Sequence, residues 1–376
     1  MATFVRGTDS ADKELTPLKH GLNIFRQYIK NCMMTRYTGK KDSGMPIIVD
    51  DTLTGSSGDT VRFHFIPQND TEGIKGQNKS VKGNEDTIEE FYTDMTLDIM
   101  NKAFKKKGKM TGIRIIWKWR NEVKTQLANW FGKRHDVWLI QALTGIMING
   151  FDVVADSAMD TTVFTNGAGR CMIPDATNDV KIIKTDADIA KTTNTLLTTV
   201  TGSGGLGLTS ASKLTVRMIE ELQILASDGN EDDKDYRIEP FKMMNGDEVF
   251  LLMVDKRVAR DLKQDSDYKT YRLALVESGH KKDPIATGAL CMIDNVIIVQ
   301  CDHIVSFKKG SNRYARNLFM GANAAAVGWA QKVDYDEDHD KIESITVMKG
   351  DEIRGQTKLT FNGVDVGVAQ VITAAN

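Results

Sequence analysis

One stretch of the chain, residues 111–147, constrains its fold more than any other. It carries four of the five tryptophans, Trp117, Trp119, Trp130 and Trp138, and no proline. Its apolar residues recur at Ile116, Val123, Leu127, Trp130 and Val137, in steps of three, four or seven, the spacing of one helix face. A straight helix of that length would run to about 55 Å at 1.5 Å per residue. Few compact enzyme domains need such a rod.

The 376 residues suffice for two or three packed units with a sizeable core. Forty-nine basic residues stand against fifty-one acidic ones, so overall charge points to no nucleic-acid partner. Cys32, Cys171, Cys291 and Cys301 form no CxxC pair and no Cys/His metal spacing. They suit a reducing compartment and inert, buried thiols rather than a disulfide framework. The N-terminal residues lack an apolar signal core, and no run of eighteen apolar residues predicts a membrane span.

Along the chain, residues 15–33 carry a stripe at Leu18, Leu22, Phe25, Ile29 and Cys32 that predicts a short amphipathic helix in an N-terminal arm. It would dock on the chain's own core or on a neighbour. Residues 61–66 alternate, with Val61, Phe63 and Phe65 on one face, and residues 87–97 read as the returning strand of a hairpin. Between them residues 68–86 are polar and glycine-containing, a connection too long for the inside of a compact domain. It reads as a protruding tip or a surface loop. Lys102, Lys105, Lys106, Lys107 and Lys109 then lead into the long helix. From Lys102 to Lys124 there are nine basic residues and one acid, Glu122. That run is either a solvated face or one turned to nucleic acid or an acidic neighbour.

Residues 150–207 read as loops and short strands. Residues 208–227 predict a second helix, with Ser210 or Ser212 as its cap. Residues 248–254 form an apolar strand, and Asp255 caps a short helix after it. Residues 290–300 predict a hairpin turning at Asp294-Asn295, since both residue types tolerate positive φ. Residues 342–372 are mostly strand-like, with a second hairpin turn at Asn362-Gly363.

Signals for catalysis are poor. No phosphate-cradling glycine loop stands after a strand, and the histidines are scattered. The acidic run Asp334, Asp336, Glu337, Asp338 and Asp340 opens like a calcium loop. His339 occupies its glycine position and Ile345 its final glutamate position, so it reads as a solvated acidic turn. The reading is of a non-enzyme with no cofactor and no metal.

Three stretches carry a family resemblance. The first is Phe91-Tyr92-Thr93-Asp94-Met95-Thr96-Leu97, followed by Gly108-Lys109-Met110-Thr111, Arg120-Asn121-Glu122-Val123-Lys124 and Leu127-Ala128-Asn129-Trp130-Phe131. The second is Lys282-Asp283-Pro284-Ile285-Ala286-Thr287-Gly288-Ala289-Leu290, then Ile293-Asp294-Asn295-Val296. The third is Asn317-Leu318-Phe319-Met320-Gly321-Ala322-Asn323-Ala324, Asp334-Tyr335 and Phe361-Asn362-Gly363-Val364-Asp365. In order and spacing the chain resembles tailed-bacteriophage major capsid proteins of the HK-ninety-seven-type fold, in particular the branch of N-four-like coat proteins. Asp283 departs from the family's usual Asn, and Asp294-Asn295 from its Asp-Gly.

The resemblance implies an α+β fold with an N-terminal arm (1–44), an extended β-hairpin loop (45–105), a peripheral domain with spine helix and C-terminal strands (106–150 and 311–376) and an axial domain (151–310). It implies self-assembly through hexamers and pentamers into an icosahedral virion shell around double-stranded DNA, put together in the host bacterial cytoplasm. Expected partners are a separate scaffolding protein, a portal, decoration proteins and packaged DNA bound without sequence specificity; no membrane is expected. Phe63, Phe65, Phe91 and Tyr92 are the candidate loop contacts between subunits, or else the hairpin's own core. Lys105, Lys106, Lys107 and Lys109 are the candidate basic inner or inter-subunit face. The alternative is a DNA-binding, chromosome-organising protein that uses residues 102–124.

Overall fold

The computed structural model describes residues 24–25, 27–30, 32–41, 43–51, 58–65, 91–107, 119–144, 148–149, 152–153, 171–174, 180–183, 210, 212–228, 237–242, 248–270, 289–309, 312–340, 345–361 and 364–375. Among these residues twenty strands follow one another. The first nine are β1 (Thr38–Lys40), β2 (Ile47–Asp50), β3 (Thr60–Phe65), β4 (Phe91–Thr96), β5 (Asp98–Lys107), β6 (Ile148–Asn149), β7 (Asp152–Val153), β8 (Cys171–Pro174) and β9 (Val180–Ile183). The next six are β10 (Phe241–Lys242), β11 (Glu248–Val254), β12 (Ala289–Ile293), β13 (Val296–Gln300), β14 (Ser306–Lys309) and β15 (Asn312–Met320). The last five are β16 (Ala325–Asp340), β17 (Ile345–Lys358), β18 (Thr360–Phe361), β19 (Val364–Asp365) and β20 (Val368–Ala374). Among the described residues the main helices are α1 (Trp119–Thr144), α2 (Val216–Asp228) and α3 (Lys256–Gln264), and a 3-10 turn spans Met34–Tyr37.

Two sheets organise these elements. One has the order β1-β2-β16-β17-β5, built around the long antiparallel pair β16–β17. The other runs β12-β13-β11-β15-β20-β8-β9, with β10 added on β11 and β14 on β15. Strand β11 shows why its sequence is a near-continuous apolar run, for it is buried on both faces. Phe250, Leu252 and Val254 meet α2 and α3, while Val249, Leu251 and Met253 face a second core.

Helix α1 joins the two sheets. Val123, Leu127, Ala128 and Phe131, in its first half, pack on Val333, Tyr335 and Met348 of the first sheet. Val137, Leu139, Ile140 and Leu143, in its second half, enter the core shared with β11, β13 and β15. Apolar residues therefore spread around the second half instead of keeping to one stripe, as burial on several sides requires. The described helix has 26 residues, about 39 Å at 1.5 Å each. It falls within the 111–147 expected, and 111–118 and 145–147 lie outside the described residues.

Several local expectations hold. The hairpin of β12 and β13 turns at Asp294 and Asn295 with φ of 40° and 60°. Asp255 caps α3, its Oδ2 accepting from the Arg257 amide at 3.1 Å. Strand β4 returns along β3, with Thr60 opposite Thr96 and Phe65 opposite Phe91. Strands β18 and β19 flank the Asn362-Gly363 turn, which itself lies outside the described residues, as does the 68–86 connection.

Others are corrected. The cap of α2 is neither Ser210 nor Ser212. The helix starts at Val216, and Thr215 Oγ1 accepts from the Met218 amide. The Ser212 carbonyl instead accepts from the Ala374 amide, which ties the chain's end to this segment. Residues 102–107 lie in strand β5, ahead of α1. The acidic run is not a turn: it lies inside β16, where Val333 and Tyr335 are buried between the exposed Asp334, Asp336 and Asp338. In the arm, the buried line is Ile24, Tyr28 and Cys32, and Ile29 is exposed. The described part of the arm packs on its own subunit.

Candidate assembly surfaces

The ribbon of β3 and β4 pairs with no other strand among the described residues. Its two faces differ sharply. Val61, Phe63 and Met95 point down onto Ile48, Ala326 and Leu359. The ribbon lies close on the sheet because two glycines leave room. A Cβ on Gly355 would come 2.6 Å from the Thr96 carbonyl, and one on Gly328 would come 2.4 Å from Met95 Cε. Thr93 Oγ1 donates to the Thr360 carbonyl at 2.7 Å and accepts from the Thr360 amide at 3.3 Å.

The upper face carries Arg62, His64, Tyr92 and Asp94, all exposed. Arg62 pairs with Asp94 through both Nε and Nη2, at 2.7 and 2.9 Å, and its guanidinium lies 4.0 Å over the Tyr92 ring. That hydrogen bonding raises the pKa of Arg62 and lowers that of Asp94. Of the four aromatic loop candidates, Phe63 is 2% exposed and turned into its own subunit, whereas Tyr92 is 58% exposed. The side chains of Phe65 and Phe91 lie outside the described residues.

The basic candidates divide in a similar way. β5 is the edge strand of its sheet, paired with β17 from Asp98–Arg354 to Lys107–Ile345. Met100 and Phe104 pack beneath α1, and Lys102 and Lys106 share their side of the strand. Lys102 Nζ lies 5.6 Å from the Trp130 ring and Lys106 Nζ 5.5 Å from that of Trp119. Lys105 points to the other face and is exposed. The side chain of Lys107 and the whole of Lys109 lie outside the described residues. The described lysines of the run are therefore split across two faces.

A buried polar junction joins the arm to α1 and β17. Asp136 accepts from the backbone amides of Met33 at 2.9 Å and Met34 at 3.2 Å. Cys32 Sγ donates to the Gly132 carbonyl. Arg354, fully buried, donates to Tyr28 Oη and to His135 Nδ1, and its Nη1 lies 3.3 Å from Glu352 Oε1. A guanidinium has no acceptor, so Nδ1 of His135 is bare and its proton sits on Nε2. Burial, aided by Arg354, holds the His135 pKa well below the ordinary value, so the ring is neutral. Burial pushes Asp136 up to about 6, against the pull of the two amides and Arg354. Burial likewise raises Tyr28, Cys32 and Glu352.

Cys32, His135 and Asp136 bring ligand atoms within 4.8 Å of one another. They do not suit a cation. Arg354 already occupies the bare imidazole nitrogen, both Asp136 oxygens hold amides, and the buried thiol resists ionisation. None of these residues stood out as a group in the sequence, because they come together from positions 28 to 354.

Comparison with known proteins agrees with this architecture. The phage capsid protein family model matches residues 14–376. The major capsid protein of Pseudomonas phage KPP25 is 24% identical over 382 residues, covering 94% of each chain. The capsid of Ralstonia phage GP4 shares the fold with a TM-score of 0.70 at 19% identity, over 91% of this chain and 90% of that one. The cyanophage Pam1 capsid does so with a TM-score of 0.69 at 18% identity, over 93% of both. These likenesses identify the fold as the HK-ninety-seven type, and none of them favours the chromosome-organising alternative. With its family model matching almost end to end, the chain belongs to the phage capsid protein family.

Proposed function

We propose that this chain is a major capsid protein whose copies join in rings of six and five to close an icosahedral shell around double-stranded DNA. The observation that carries the reading is the ribbon of β3 and β4. It gives one face to its own subunit and holds Arg62, Tyr92 and Asp94 outward on the other. A two-stranded ribbon alone is only marginally stable. A neighbour's surface on the outward face completes its burial. Repeated head-to-tail, such a contact closes rings, and many weak contacts make a durable shell.

Tyr92 is the aromatic anchor in this reading, and Phe63 fixes the ribbon from below. Lys105, exposed on the outer side of β5, offers a single basic contact toward a neighbour or the packaged DNA. A separate scaffolding protein, a portal and decoration proteins complete the partner set, with assembly in the host cytoplasm. Electron microscopy and sedimentation of the purified protein test the reading. Shells, tubes or rings are expected. A monomer or dimer that persists with scaffolding protein present, and binds DNA in a salt-sensitive way, would overturn it.

A further inference from the structure

The arm is held on its subunit chiefly through buried groups, and one of them accepts from the arm backbone itself. Asp136, only 3% exposed, takes the Met33 and Met34 amides from residues about a hundred positions earlier. We propose that Asp136 and these two amides form a proton-operated catch, which grips the N-terminal arm more firmly in acid than at neutral pH.

The surroundings of the carboxylate set the direction. From the arm, Tyr28 and Cys32 face it; from its own helix, His135 does; from β17, Arg354 and Glu352; and beyond β13, Cys301. Tyr28, Cys32 and Cys301 are kept protonated by burial, and His135 is neutral, so among the described residues Arg354 is the cation that acts on the carboxylate, and it already serves Tyr28 and His135. The ionised carboxylate thus has two amide donors and a shared guanidinium in place of water. When the arm lifts, water returns and Asp136 regains the pKa of an ordinary aspartate.

The docked state therefore binds a proton more tightly than the lifted state. Docking gains as pH falls through about 6 and stops gaining below the ordinary aspartate value. Between about pH 7.5 and about pH 5 the ratio of docked to lifted arm rises roughly tenfold. This is opposite in sign to a carboxylate held in a salt bridge, which would release the arm in acid.

The test is hydrogen exchange of the Met33 and Met34 amides in dilute, unassembled full-length subunits at those two pH values, corrected for intrinsic exchange. Protection is expected to rise roughly tenfold in acid. Asp136→Asn keeps one acceptor and should remove the pH dependence, while Glu352→Gln should preserve it. Unchanged or reduced protection of the wild-type amides in acid overturns the catch, whether or not the variants fold. So does an Asp136→Asn protein that keeps the full shift.

Discussion

The guanidinium of Arg354 meets Nδ1 of His135 at 2.7 Å, across 219 positions of sequence, with both side chains sealed from water. The same guanidinium faces Glu352, also fully buried. Removing it leaves a carboxylate in the core without its counter-charge. Arg354→Ala should cost about 3–5 kcal/mol in urea unfolding. Replacing both residues by apolar ones of similar size, as in Arg354→Met with Glu352→Leu, should recover part of that loss. A double variant as unstable as the sum of its singles would contradict the pairing.

Gly355 sets how closely the ribbon approaches the sheet. A methyl there has to displace the Thr96 carbonyl, and backbone cannot swing aside as a side chain can. Gly355→Ala should destabilise by about 1–3 kcal/mol. It should also raise exchange at the Leu97 amide, which now donates to the Asp59 carbonyl at 2.8 Å. An unchanged melting temperature would argue against this close seating.

The cap at Asp255 gives a smaller, local expectation. Asp255→Ala removes the acceptor for the Arg257 amide. The expected cost is about 1 kcal/mol, read as a shift in denaturation midpoint at constant slope. Asp255→Ser should regain most of it.

These outcomes mark what the sequence disclosed. The Asp255 cap and the Asp294-Asn295 turn were legible because their chemistry is spelled out within a few residues. So was the inward face of β3, from its alternation. In the arm the apolar stripe rightly includes Phe25 and Cys32 but also selects the exposed Ile29, and it passes over Tyr28, whose hydroxyl is satisfied by a distant Arg354. The Lys102–Lys106 strand hid its alternation because Lys stems can lie against rings while their charge stays wet. The acidic run of β16 disguised itself similarly, since only Val333 and Tyr335 mark its buried side. The junction around Asp136 was beyond sequence reading, because no local pattern brings positions 32, 136 and 354 together.

Thiol chemistry checks the cores independently. Burial raises Cys32 strongly and pushes Cys301 up to about 12. Both thiols should resist alkylation in the folded subunit near pH 8 and react on unfolding. Rapid labelling of Cys32 in native protein would mean that the arm leaves its site often.

The outward ribbon face should separate stability from assembly. Arg62→Glu sets two carboxylates against each other at a solvent-exposed position, so melting should hardly change. Assembly should be lost, or demand much higher protein concentration, when followed by light scattering. Normal assembly by a folded Arg62→Glu protein would remove this face from the contact.

A single residue, Leu97, separates β4 from β5, and β5 is bonded along its length to β17. A tug on the ribbon is therefore delivered straight into that ladder, parallel to the strands. Hydrogen bonds loaded side by side share tension, whereas bonds opened from one end fail in succession. As the contents press outward, this subunit would carry hoop stress as a riveted lap joint does, and not as a zipper.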